Sequence, residues 1–268
     1  MKIKLLVNQI IAWGLVAMFT LPLAWMFASS LRPAGLPPAR GMEWLPDDWT
    51  LLNYGRMAEL VPIGRYLLNS LWVAGWGVLF TLLSASWAGL GMALLPRAAR
   101  LRLLLLSFGL QTIPITALLL TRFLLFARIG LTNSHLALTA PALMGTSPLF
   151  VLLFYWTFRR VDRAVFESAL LDGASPLRAW WFIALPLARP ALMAVAMLAF
   201  LFYWNDFTGP WLYLRSQSMY TLPVGLLQLQ QLDRTDWSLL MAAGVVMSLP
   251  PLAVFGMLQR SLLWWRLE

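Results

Sequence analysis

Cysteine is absent from the 268 residues, and histidine occurs once, at His135. The chain therefore has no disulfide framework, no thiolate nucleophile and no Cys/His metal set. Charge is scarce as well. Only 12% of residues are charged and 60% are hydrophobic, against about 25% and 45–50% in soluble domains. The eleven acids are scattered, with Glu43, Asp47, Asp48 and Glu59 in one polar segment and Asp162, Glu167 and Asp172 in another. None pairs with His135, so an intramembrane lipid-modifying enzyme, which needs clustered acids or histidines near an interface, is a weak alternative. A proton-coupled carrier working alone needs acids within apolar segments, and those are missing too. There is no G-x-x-x-x-G-K-[ST] phosphate loop, so the chain lacks that signature of a nucleotide-hydrolysing motor. The formal charge of +9 does not mark a nucleic-acid partner, because no basic run is interleaved with aromatics. No internal repeat or low-complexity tract is visible.

What the sequence has is long apolar runs. Charge-free intervals cover residues 5–31, 66–96, 103–121, 129–158, 190–205 and 237–259. A helix needs about 20 apolar residues to cross a bilayer core, and nothing alternates as a barrel strand would. The expected fold is all-α and polytopic, one transmembrane domain over 1–268. Its six spans are expected near 5–31, 66–95, 103–127, 135–158, 185–206 and 237–260. Lys2 and Lys4 before an apolar stretch resemble a signal peptide, but the run is too long for an h-region and reads as a retained first helix. With the N-terminus inside, twelve Lys and Arg lie on the inner side and eight on the outer, and "PRAARLR" is a short, purely basic inner loop. Both termini are then cytoplasmic. Trp264, Trp265 and Arg266 read as an interfacial belt.

The connections differ in character. Residues 32–65 form a long outer loop in which Thr50 can cap a short helix with Asn53 and Tyr54 in its first turn. Residues 209–236 form a second outer loop. Several polar residues sit within or beside the spans. Arg122 and Asp206 are expected to face a central cavity and to pair, an intramembrane charge being a functional hypothesis by default. In "YWNDF", Tyr203, Trp204, Asn205 and Asp206 combine aromatic faces with amide and carboxylate, which suits contact with a sugar. Asn69, Ser70 and Gln111 are further candidates, with helix–helix hydrogen bonding as the alternative for all of them. His135 reads as a polar cap or interfacial residue.

The inner segment 159–184 has its own grammar. "DRAVFESALL" puts Val165, Phe166, Ala169 and Leu170 on one helical face. "DGASP" then breaks the helix: Gly173 can take positive φ, Ser175 can cap, and Pro176 suits a first helical position. "LRAWWFIALP" makes a second short helix, expected to stop before Pro186. The pattern is a helix–turn–helix knob at the inner membrane surface, with an interfacial amphipathic pair as the plainer reading.

"ESALLDGAS" followed by "IALPLARP" resembles the EAA loop of the membrane subunits of ATP-binding cassette importers, with Ser168 in place of an alanine. "RYLLNSLWVA", "IGLTNSHLAL", "FYWNDFTGPW", "YTLPVGL" and "WSLLMAAGVVMSLPP" resemble the maltose-type sugar permease branch, and the likeness runs from about residue 53 to 260. The resemblance implies a type I importer permease fold with cytoplasmic coupling helices, in the inner membrane. Glu167, Ala169, Asp172, Gly173, Ala174, Ser175, Leu185 and Pro186 would then seat in an ATPase cleft. It also implies a second permease subunit, two ATPase subunits that carry ATP and Mg, and an extracytoplasmic solute-binding protein touching Gln228, Gln230, Gln231 and Asp233. The chain itself would bind no cofactor and no metal. The cargo would be an oligosaccharide or a glycerol-phosphate-like solute, with a non-sugar solute as the alternative. The end "MLQRSLLWWRLE" departs from the family's Gly-rich tail, so the resemblance does not carry a tail contact with the ATPases over to this chain.

Overall fold

The computed structural model describes residues 2–36, 48–233 and 235–264. Arg40, Glu43, Asp47, Arg234, Trp265 and Arg266 lie outside them, as does the side chain of Trp264. Among the described residues the regular elements are all helical. In chain order they begin α1 (Lys2–Ser30), α2 (Leu52–Leu60), α3 (Ile63–Leu94) and α4 (Arg97–Gln111). A 3-10 turn (Ile115–Leu118) leads to α5 (Leu119–Arg128) and α6 (His135–Thr139), and a second one (Ala140–Met144) to α7 (Pro148–Phe158). Next come α8 (Arg163–Leu171), α9 (Pro176–Ala179), a π-helical turn (Trp180–Ala184), α10 (Leu185–Leu187) and α11 (Arg189–Trp204). The chain finishes with α12 (Thr208–Tyr213), a 3-10 turn (Gln217–Met219), α13 (Leu222–Leu232) and α14 (Trp237–Trp264). The expected outer loops are thus partly helical.

Four stretches are long and apolar enough to cross a membrane: Val7–Ser30, Ile63–Leu94, His135–Phe158 and Trp237–Gln259. Six result if two bent pairs each count as one span, and both bends are 85°. These bends correct the expectation of continuous third and fifth helices. The third breaks between Arg97–Gln111 and Ile115–Arg128. Pro114 has no N–H for the carbonyl four residues back and disfavours helical backbone at Ile113. The fifth begins at Arg189, not 185, because the turn falls at Ala188 (φ −93°, ψ 14°) ahead of Pro190. Leu185–Leu187 therefore belongs to the preceding helix, which runs Pro176–Leu187 and does not stop before Pro186. Its π turn explains why: the Leu185 N–H donates to the Trp180 carbonyl five residues back. A wider turn eases the clash between a proline ring and the preceding turn.

The contacts divide the chain into two compact units, residues 1–66 with 222–250, and 67–221 with 251–268. In the first, Leu229, Leu239, Ala242 and Ala243 are fully buried. Asn53, also fully buried, donates from Nδ2 to the Ser30 and Arg32 carbonyls at 2.8 and 2.7 Å, tying α2 to the end of α1. The Thr50 hydroxyl accepts from the Leu52 N–H at 3.2 Å, although the position flanking α2 is held by Leu51. Arg56 donates to Asp236 at 2.6 Å, and Asp236 Oδ1 accepts the Leu239 N–H at the start of α14.

The second unit is built around a buried cluster that includes Ala85, Phe150, Phe154, Phe166, Trp180, Val195 and Ala199. It joins α3, α7, α8, the 176–187 helix and α11. Small residues allow close approach here. A Cβ at Gly89 would lie 2.6 Å from Phe154 Cβ and 2.8 Å from the Tyr155 backbone nitrogen. The span 135–158 is itself interrupted, with Gly145 (φ 80°) and Thr146 (φ 60°) both left-handed.

Candidate functional site

The hairpin 162–187 is built by local chemistry. Asp162 Oδ1 accepts the Ala164 N–H at 3.0 Å and starts α8. The helix ends in a paired motif: the Gly173 N–H bonds the Leu170 carbonyl and the Ala174 N–H the Ala169 carbonyl, at 3.1 and 3.0 Å. That pairing requires a left-handed residue between them, and Gly173 supplies it with φ 85°. Ser175 then accepts the Arg178 N–H at 3.3 Å, with Pro176 opening α9.

The buried face of α8 is narrower than the sequence spacing suggested. Phe166 and Ala169 are buried, whereas Val165 and Leu170 are exposed. Each exposed residue neighbours a buried one in sequence, about 100° around the helix. Glu167 is exposed and pairs with Arg163 at 2.8 Å, one turn earlier. Asp172, Gly173 and Ser175 are exposed, Ala174 and Leu185 half-buried, and Pro186 exposed. At the tip, Leu171 and Leu177 stand 88% and 60% exposed. The hairpin thus presents apolar and charged side chains around one fixed turn.

Its anchor was not visible in the sequence. Trp180 is buried, donates from Nε1 to Ser86 Oγ at 3.2 Å, and packs edge-on against Trp87 at 5.1 Å. A serine within an apolar helix and a tryptophan at the start of an apolar face were the available signals, but 94 residues separate them. Beside this anchor, an apolar cavity of about 250 Å³ lies between α3 (Trp87, Leu90, Leu94) and the hairpin (Phe166, Leu170, Ala179).

The polar residues divide into two groups. Arg122, Asn205 and Asp206 line one cavity of about 350 Å³, together with Thr146, Gly209 and Tyr213. Arg122 and Asp206 share the cavity without forming an ion pair; Asp206 Oδ1 instead accepts the Gly209 N–H at 3.0 Å. Asn205 donates to its own helix, at the Leu201 carbonyl. Tyr203 reaches the cavity wall through Thr146, whose hydroxyl also bonds Thr81. A β-branched residue at positive φ costs roughly 1–3 kcal/mol and persists only when its surroundings hold it. These two hydroxyl contacts provide that restraint.

The remaining candidates lie apart from this cavity. Trp204 is 1% exposed and stacks on Phe200. Asn69 donates to the Ser218 and Tyr220 carbonyls. Ser70 is buried, Ser147 donates to Gln111 at 3.5 Å, and His135 Nε2 meets the Met219 carbonyl. Gln228 is turned inward and accepts from the Tyr66 hydroxyl at 2.7 Å, whereas Gln230 and Gln231 are exposed. Asp233 accepts the Thr235 hydroxyl, which holds its carboxyl below the usual carboxylate range. Among the described residues no three of His, Asp or Glu gather as a metal site would require.

The sequence resembles proteins of known role. At 28% identity over 255 residues, it matches the diacetylchitobiose uptake system permease protein NgcG of Streptomyces coelicolor, covering 94% of this chain and 83% of that one. The arabinooligosaccharides transport system permease protein AraQ of Halalkalibacterium halodurans is 29% identical over 242 residues, 89% of this chain and 86% of the relative. The trehalose/maltose transport system permease protein MalG of Thermococcus litoralis is 28% identical over 253 residues, 93% and 90%. In fold, the chain matches a subunit of a bacterial ABC transporter involved in alginate import, with TM-score 0.77 at 19% identity over 97% of this chain and 96% of that one. Residues 82–263 match the family model for the binding-protein-dependent transport system inner membrane component. With that segment covering most of the chain and the type I permease fold around it, this multi-pass membrane protein belongs to the binding-protein-dependent transport system inner membrane component family.

Proposed function

We propose that the chain is one membrane half of an ATP-driven importer for saccharides. Its hairpin, 162–187, is the seat for a cytoplasmic ATPase that belongs to another polypeptide. One observation carries this reading. The hairpin's turn is fixed by Gly173 and its base by Trp180, yet its tip exposes Leu171, Leu177, Glu167 and Asp172. A rigid knob with an uncovered apolar tip suits transmission of a push from a partner better than interfacial lipid contact alone. Glu167, held by Arg163 here, can exchange that partner for an ATPase arginine. Ala169, Ala174, Ser175, Leu185 and Pro186 complete the same surface or its support.

The topology goes with this role: hairpin and both termini in the cytoplasm, and α2 and α13 on the far side. The assembly is a heterodimer with a second permease, two ATPase subunits carrying ATP and Mg, and a solute-binding protein that reaches Gln230, Gln231 and Asp233. Arg122, Asn205 and Asp206 line part of the translocation path. The saccharide cargo is supported by the relatives, named for diacetylchitobiose, arabinooligosaccharides and trehalose/maltose.

Purification of the chain from native membranes in mild detergent tests the reading. A second permease and an ATPase should come with it, and the complex should hydrolyse ATP. A lone chain that carries labelled saccharide into liposomes would contradict it.

A further inference from the structure

Trp72, Trp76 and Phe80 recur every four residues along α3 and so share one face. Their ring centroids are 5.6 and 5.3 Å apart in succession, and at the helical rise the ladder is about 12 Å long. It lines a cavity of about 450 Å³, which is also lined by Ser134, His135, Thr139 and Met219. Trp72 is 59% exposed and Trp76 38%, so their rings are open to a ligand. The edge of the cavity is fixed, because Asn69 holds the carbonyls on either side of Met219. His135 Nε2 lies 2.9 Å from the Met219 carbonyl. A carbonyl only accepts, so Nε2 donates in this bond, and Nδ1 is the ring nitrogen left for a ligand.

We propose that this cavity is a saccharide subsite, separate from the one lined by Arg122 and Asp206. The ladder offers ring faces to the apolar CH faces of successive sugar units, and His135 Nδ1 hydrogen-bonds a hydroxyl, which can act as donor or acceptor. Stacking reads shape more than identity, so an oligosaccharide can pass from one ring to the next without losing its contact. The rival occupant is lipid. Acyl chains would satisfy the aromatic rings but would leave Nδ1 of His135 without a hydrogen-bond partner, and that is costly in hydrocarbon. The proposal rests on the importer reading above.

The test uses the whole importer in proteoliposomes, with labelled diacetylchitobiose, arabinotriose, maltose and trehalose as probes. For whichever probe the wild type transports, Trp76→Leu should raise KM about five- to tenfold, and Trp76→Phe should keep it within about twofold, as the worth of an aromatic contact implies. Because the chain has no cysteine, Trp76→Cys supplies a single thiol. A water-soluble methanethiosulfonate should modify it, and the transported saccharide should slow the reaction. Unchanged KM in Trp76→Leu would remove the subsite. So would modification only by a membrane-permeant maleimide with no protection by saccharide, because the ladder would then face lipid. Wild-type uptake of none of the probes would instead remove the saccharide reading itself, and the subsite with it.

Discussion

At the scale of single residues, the hairpin depends most on Gly173. Its φ of 85° is closed to most side chains, although a Cβ there would meet no atom. The cost of substitution is therefore conformational rather than steric, about 1–2 kcal/mol for an ordinary residue. Gly173→Val should abolish most uptake while leaving the amount of chain in the membrane near normal, and Gly173→Asn, which tolerates the left-handed region, should retain much more. Uptake of labelled saccharide alongside an immunoblot checks both. Gly173, Ser175 and Pro176 were legible because their chemistry is local: a turn, a cap and a fixed φ are written in adjacent letters. Trp180 was not. Its value lies in a hydrogen bond to Ser86 and a ring contact with Trp87, and no local pattern records which distant helix will pass by. Asn69 is similar. Two backbone carbonyls occupy its amide, a use that a lone asparagine in an apolar run does not announce.

At the scale of elements, the four unbent apolar helices were legible from charge-free length, but the breaks in the third and fifth intervals were not. Charge is what bounds an interval, and proline carries none. Pro114 and Pro190 therefore passed inside apolar runs, while the chain turns by 85° next to each. Pro186 was expected to end a helix and does not, because a π turn accommodates it. The contact between α3 and α7 supplies a test at this scale. At Gly89 the neighbours are a Cβ and a backbone nitrogen, so nothing flexible can move aside. Gly89→Leu should lower thermal stability in detergent by an amount typical of overpacking, about 1–3 kcal/mol or more. The same change at Gly91, where a Cβ meets open space, should have little effect. Equal losses at the two positions would mean that the helices are not in this contact.

At the scale of the whole molecule, the fold class and the family were legible because both rest on patterns spread along the chain: six apolar intervals and one charged hairpin between the fourth and fifth. The aromatic cavity beside α6 and the strained Thr146 were hidden, since each is assembled from helices distant in sequence. The central claim is that the hairpin is a cytoplasmic seat for a separate ATPase. The absence of cysteine allows one direct measurement: Leu171→Cys, at the exposed tip, in intact cells and in inside-out vesicles. A membrane-impermeant thiol reagent should label it only in the vesicles, and a maleimide carrying a photoreactive benzophenone, which inserts into C–H bonds and needs no second thiol, should join it to the ATPase subunit. Labelling in intact cells, or the lack of any cross-link to an ATPase in an actively transporting complex, would contradict the account.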